Sequence, residues 1–202
     1  MNYQKVLLVL LLPILANVII GCCDCLETIF FNYTNCDISL QSLDNAGPEP
    51  LISVSNVVQK EAFGLRVTVD RREDLCQNTF APLFISSAYA ISCDCPPAQL
   101  YQPLDSIVTI EVISLTDFDP GNGNGDDITA NFSILSFTEF LSIEEFLNSQ
   151  FYDIYNLEDE IFSFDLMLMV PPPERGLYQF EVRLALSDGR VLSRISEEIE
   201  LL

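Results

Sequence analysis

The chain has 202 residues, 9 basic and 30 acidic side chains, a formal net charge of −21, seven cysteines, no histidine and no tryptophan. So acidic a surface repels phosphate backbones and anionic lipid, which argues against nucleic acid as a partner. Without histidine there is no Ser-His-Asp or Cys-His catalysis and no imidazole metal site, and without tryptophan the best aromatic platform for a sugar is missing, although 7 Tyr and 14 Phe remain.

Met1 to Lys5 is a short segment with one positive side chain, and Val6 to Ile20 is an apolar run broken by Pro13 and Asn17. A membrane-spanning helix needs about 20 apolar residues, so this run is short for a span and fits the apolar region of a secretory signal. It ends in Val18-Ile-Ile-Gly-Cys22. That stretch resembles the lipobox of bacterial lipoproteins, with an aliphatic residue three before the cysteine and a small residue just before it. The resemblance implies a cleaved signal peptide over 1–21 and acyl chains on Cys22, which hold a protein stably when there are two or more of them. The alternatives are an uncleaved anchor and an ordinary secretory signal. Cleavage before Cys22 leaves 181 residues with 8 basic and 30 acidic side chains. That is one domain of ordinary size that needs no metal to fold. The expected layout is a lipidated tether over 22–35, including a possible first strand, and a β-sandwich domain over 36–202.

With Cys22 acylated, Cys23, Cys25, Cys36, Cys76, Cys93 and Cys95 remain. An even number in an exported chain reads as a disulfide set, with 15 pairings open. The two Cys-x-Cys pairs could hold a soft metal, but the spacing departs from Cys-x-x-Cys and no histidine supports it.

Leu26 to Tyr33 and Ile38 to Leu43 read as two strands, followed by a turn at Asn45-Ala-Gly-Pro-Glu-Pro50. From Ala62 to Asp70 the pattern alternates, with Phe63, Leu65, Val67 and Val69 on one face and Arg66, Thr68 and Asp70 on the other, as in a half-buried strand. Ser87 to Ser92 is a weaker strand that Pro96 and Pro97 stop. Ser106 to Thr116 is the longest candidate, with Ile107, Thr109, Glu111 and Ile113 on one side and Val108, Ile110, Val112 and Ser114 on the other. Ile128 to Phe137 follows as a strand. Ser142-Ile-Glu-Glu145 fits a capping box and predicts one short helix over about Ile143 to Gln150. Asn156 to Glu160 is an acidic connection, Ile161 to Val170 a buried strand ended by Pro171-Pro-Pro173, and Gly176 to Leu186 an alternating strand. Ser187-Asp-Gly-Arg190 reads as a type I′ hairpin turn, with Val191 to Leu201 returning antiparallel. Some eight short strands with one small helix indicate a mainly β protein, an antiparallel β-sandwich.

The connection Asp117-Phe-Asp-Pro-Gly-Asn-Gly-Asn-Gly-Asp-Asp127 is rich in side-chain oxygens, and calcium takes 6–8 of them. Its spacing is not that of an EF-hand: counted from Asn122, Asp127 occupies the glycine position and Ser133 the closing position. The expectation is a solvated turn segment, with no metal site and no cofactor.

Cys22-Cys-Asp-Cys25, Ser86-Ser-Ala-Tyr-Ala-Ile-Ser-Cys93 with Cys95-Pro-Pro97, Asp117-Phe-Asp119 and Phe140-Leu-Ser-Ile-Glu-Glu-Phe-Leu147 together resemble an uncharacterised family of Bacteroidota lipoproteins, grouped under a domain of unknown function. The resemblance implies an Ig-like exported lipoprotein and says nothing of its ligand. Asp105-Ser106-Ile107 looks like the O-glycosylation acceptor of that phylum, with Ser106 as the modified residue. Asn32-Tyr-Thr34 and Asn131-Phe-Ser133 fit the eukaryotic N-glycosylation pattern, which a bacterial lipoprotein would not use.

These readings favour a non-enzymatic binding or scaffold module of the cell envelope, held in a membrane, with the outer membrane favoured, by its N-terminal acyl chains and meeting a protein or glycan. The alternative is an accessory subunit of an envelope transporter or adhesin complex. An enzyme without histidine would be a two-carboxylate glycosidase, but thirty acidic residues make carboxylate pairs inevitable and therefore uninformative.

Overall fold

The computed structural model describes residues 29–72, 99–136, 139–149 and 161–202. The chain divides into two compact units, one of Met1–Phe30 with Asn78–Leu100 and one of Phe31–Gln77 with Tyr101–Leu202. Nearly all the described residues belong to the second. The weak strand at Ser87 to Ser92, the connection at Asn156 to Glu160 and every cysteine except Cys36 lie outside the described residues.

In chain order the strands are β1 (Ile29–Asp44), β2 (Leu51–Ile52), β3 (Val57–Val58), β4 (Phe63–Arg72), β5 (Gln99–Pro103), β6 (Ile107–Ser114), β7 (Phe132–Ser136), β8 (Glu139–Leu141), β9 (Ile161–Leu168), β10 (Gly176–Tyr178), β11 (Phe180–Leu186), β12 (Val191–Ile195) and β13 (Ile199–Leu201). The α-helix among the described residues, α1 (Ile143–Asn148), sits between β8 and β9. A seven-stranded sheet runs β2-β1-β4-β9-β7-β8, with β5 also paired to β1. Two three-stranded sheets run β12-β11-β6 and β10-β13-β3. The described pairings are antiparallel apart from β13 with β3, which is parallel. The chain is therefore mainly β, and its sheets stack in a sandwich-like way around one apolar core.

The alternation in β4 does what it predicts: Phe63, Leu65, Val67 and Val69 are all fully buried. Phe63 meets Phe180 of β11, and the alternation through β10 and β11 likewise buries Tyr178, Phe180, Val182, Leu184 and Leu186. Phe180 is the hub. Its ring stacks on Phe63 at 5.4 Å and meets Phe132 at 6.0 Å and Phe118 at 6.4 Å edge-on. The helix forms where the capping box predicts it: the Glu145 backbone N–H donates to Ser142 Oγ, and the Ser142 backbone N–H donates to Glu145 Oε2 at 2.9 Å. Phe146 then packs on Phe164 at 5.3 Å, tying this short helix to the core.

Where the structure departs from the sequence reading, bulges and breaks are the cause. Over the described residues, the two strands expected at Leu26 to Tyr33 and Ile38 to Leu43 are one strand, β1, in which Cys36 is the extra residue of a bulge between Asn35 and Asp37. In β6 the register with β11 shifts so that Val108 is left out; Val108 turns to solvent and Ile107 joins Ile110, Val112 and Ser114 on the buried side. A bulge reverses the alternation locally, which a strict period of two cannot anticipate. The strand expected from Ile128 begins instead with a 3-10 turn at Thr129–Asn131. Gly176 to Leu186 breaks at Gln179, so that β10 pairs with β13 while β11 pairs with β6 and β12. Its return half breaks likewise into β12 and β13. The hairpin between β11 and β12 is not a two-residue type I′ turn. Leu186 C=O accepts from Gly189 N–H at 2.9 Å, Leu186 N–H donates to Arg190 C=O at 2.8 Å, and Gly189 has φ +89°. That is the three-residue form, with glycine in the left-handed position.

Candidate binding site

The side chains of the large sheet that point away from the core converge in one cross-strand row. Gln41 pairs with Arg66, Arg66 with Asp165, Asp165 with Leu135, and Leu135 with Phe140, so the row crosses β1, β4, β9, β7 and β8. At about 4.8 Å per strand, it spans roughly 19 Å. Its middle is a bidentate ion pair: Arg66 Nε donates to Asp165 Oδ1 at 2.7 Å and Nη2 to Asp165 Oδ2 at 2.8 Å. Those hydrogen bonds raise the Arg66 pKa above its ordinary value, against the opposing effect of partial burial. Fork-to-fork pairing fixes both planes, and the Arg66 side chain is still 31% exposed. The far end of the row is apolar and ends in Phe140, a 49% exposed ring.

One side of the row is walled by the turn at Asn45 to Pro50. Asn45 N–H donates to Ala62 C=O at 2.8 Å and Ala46 N–H to Asp44 Oδ1 at 2.9 Å, which hold this turn in place. Beneath the wall, Leu43, Gly64 and Met167 form the next row and are buried. Gly64 is required there: a Cβ would lie 2.7 Å from Met167 Sδ and 2.9 Å from the Leu166 carbonyl oxygen. On the other side lies a row of hydroxyls, Ser39, Thr68 and Ser163. The concavity between Asn45, Glu49, the ion pair and Phe140 has a volume of about 620 Å³, within the range of small-ligand clefts. Alternation in the sequence places Arg66 outward, but nothing local announces Asp165, Leu135 or Phe140 as its neighbours.

The oxygen-rich connection Asp117 to Asp127 is built differently. Phe118 is buried against Tyr178 and Phe180 and plugs the segment into the core. The carboxylates are engaged by the turn itself: Asp119 Oδ1 accepts from the N–H groups of Gly121 and Asn122, and its Oδ2 accepts from Asn122 Nδ2. Asp126 Oδ2 accepts from Gly123 N–H at 2.7 Å, Asp127 Oδ1 from Thr129 N–H at 2.8 Å. The Asn122 side chain and those N–H donors hold the Asp119 carboxyl below its ordinary value. Among the described residues no three His, Cys, Asp or Glu side chains cluster as a metal site.

Ser106 lies half-buried at the other end of the sandwich, its N–H donating to Ser187 Oγ at 3.0 Å. The preceding Asp105 is only 3% exposed. It accepts from Asn35 Nδ2 at 2.6 Å and from Arg190, whose Nη1 also donates to the Asn35 carbonyl at 3.0 Å. This network fastens the β1 bulge to the β11–β12 turn, and Arg194 adds a two-pronged contact to Asp37 nearby. Cys36 lies in the bulge, with its Sγ 3.5 Å from the Thr34 carbonyl oxygen. Cys22, Cys23, Cys25, Cys76, Cys93 and Cys95 lie outside the described residues.

The family model described as a domain of unknown function, DUF5034, matches residues 35–197. The chain belongs to this family. Its match covers the whole groove and the network around Asp105. No curated protein and no solved structure matches the chain significantly.

Proposed function

We propose that this DUF5034 protein is an exported, lipid-anchored protein of the cell envelope that acts as a non-catalytic binding module. Acyl chains on Cys22 are its attachment, and the outer groove of the large sheet is its ligand surface. The observation that carries the reading is the row from Gln41 to Phe140, which presents an ion pair, an amide and an exposed aromatic ring on one rigid sheet. Rigid elements hold a binding constellation better than loops do. The lipobox at Val18 to Cys22 supports the anchoring, and the even number of the remaining cysteines supports a disulfide set drawn from Cys23, Cys25, Cys36, Cys76, Cys93 and Cys95.

A two-carboxylate glycosidase needs one carboxyl raised toward neutrality to serve as the acid. The carboxyls of Asp119, Glu145, Glu181 and Asp188 are instead displaced downward by their hydrogen bonds. Asp165, in the groove itself, is committed to Arg66.

The accessory-subunit reading is favoured by one feature. Leu51, Ile52 and Val54, in and just after β2, are 67%, 46% and 104% exposed, and they would suit a protein contact.

Fractionation of cells that express Cys22→Ser tests the anchoring. The variant leaves the membrane fraction and keeps its signal or is cut elsewhere. Unchanged membrane partitioning together with an unchanged mature mass contradicts the proposal.

A further inference from the structure

The groove's charges narrow what can occupy it. Arg66 and Asp165 neutralise each other through two hydrogen bonds, and Glu49 is the remaining charge in the lining. An anionic ligand would meet Glu49 and the field of a chain at −21, with its one arginine already engaged. Glu49 and the same field would attract a cation, so the charges exclude an anion only, and the hydrogen bonding and shape of the lining set the rest.

The polar groups then set its hydrogen bonding. Guanidinium, carboxylate, the Gln41 amide and the Asn45 amide are planar groups with fixed donor and acceptor directions. The Ser39, Thr68 and Ser163 hydroxyls beside them donate and accept equally well. A ligand matched to this surface carries many groups that both donate and accept.

The apolar end sets its shape. Leu135 and Phe140 continue the same row, two strand spacings beyond β9 at Phe140, or about 10 Å from the ion pair. Pro48 and Pro50 join Phe140 and Leu135 in the lining. The occupant has a flat apolar face for Phe140 and a polar edge that reaches Asp165 and Arg66. Sugar rings in the pyranose form have that construction: axial C–H groups gather on one face while hydroxyls ring the edge.

We infer that the groove on the outer face of the large sheet binds a neutral glycan, one ring resting on Phe140 and the polar edge turned toward Arg66 and Asp165. The inference rests on the binding-module reading and specifies the ligand class of the same site. It is independent of the anchor, since Cys22 takes no part in the groove.

Saturation-transfer NMR on the full-length chain, in a detergent without a sugar headgroup, tests it. The probes are maltose, cellobiose and diacetylchitobiose, with a sulfated heparin disaccharide as the anionic contrast. At least one neutral disaccharide receives saturation at its ring protons, and the heparin disaccharide receives none. Phe140→Ala weakens that binding about tenfold or more, while Val191→Ala, on the opposite sheet, leaves it unchanged. Should Phe140→Ala fail to fold, Phe140→Leu removes the ring at similar volume and gives the same loss. No transfer to any neutral disaccharide, transfer to the sulfated one alone, or binding undiminished by loss of the Phe140 ring overturns the inference. Release of Cys22→Ser from the membrane alongside such a result would leave the anchoring standing; sugar binding by a chain that is not anchored would leave the groove standing.

Discussion

The two faces of the large sheet share one backbone and differ in almost everything else. On the inner face of β4, Phe63, Leu65, Val67 and Val69 are all sealed against the opposing sheets. On the outer face of the same strand, Gly64, Arg66 and Thr68 meet a succession of unlike partners: a thioether, a carboxylate and a serine. The inner face is uniform because burying apolar area stabilises without regard to direction, and any close-packed set serves. The outer face is heterogeneous because its use is directional. A strand's period of two lets one segment meet both demands at once.

Three perturbations sharpen that contrast, and the largest effect belongs to the ring that packs against the inner face. Phe180→Ala removes the ring on which Phe63, Phe118 and Phe132 converge. A loss of about 3–5 kcal/mol is expected, lowering Tm by roughly 10 °C or more. A loss below about 1 kcal/mol would show that the core does not depend on this hub. Next is Gly64→Ala, which forces a methyl against Met167 Sδ and the Leu166 carbonyl. Overpacking of this kind costs about 1–3 kcal/mol. Unchanged denaturation would mean that the row beneath the groove wall is loosely packed.

The smallest effect is one of pH. Glu145 is held below its ordinary value by the Ser142 hydroxyl and backbone N–H, and Asp188 by the N–H and guanidinium of Arg190. A carboxyl depressed in the folded state adds stability that is complete above its unfolded value, near 4, and is lost as the pH falls through the lower folded value. Tm should therefore fall as the pH is taken below about 4.5, and the fall should be shallower in Glu145→Gln with Asp188→Asn. Identical acid limbs in melts of the two proteins would remove these groups from the account.

What the sequence discloses follows from the range of the interaction involved. The β4 alternation and the Ser142–Glu145 capping box are local, and both appear in the structure in place. The bulges at Cys36 and Val108 and the break at Gln179 are fixed by neighbours far along the chain. Cys36, for example, stands out of register because Asn35 beside it is held by Asp105, 70 residues away. The groove is harder still to read. Arg66 and Asp165 are separated by 99 residues, and the row they centre exists only once four strand registers are set. Phe118 is a further case, since an aromatic ring inside an Asp-, Asn- and Gly-rich connection gives no periodic sign that it enters the core.

The central claim is that recognition belongs to the outer face of the large sheet, and amide chemical-shift mapping tests it most directly. The isotope-labelled full-length chain is titrated with the disaccharide that gives the strongest saturation transfer. The account predicts shifts confined to Gln41, Arg66, Leu135, Phe140, Asp165 and the Asn45 to Pro50 turn, with β11 and β12 silent. Shifts centred on Asp117 to Asp127 or on β12, with the row around Arg66 unmoved, would contradict it.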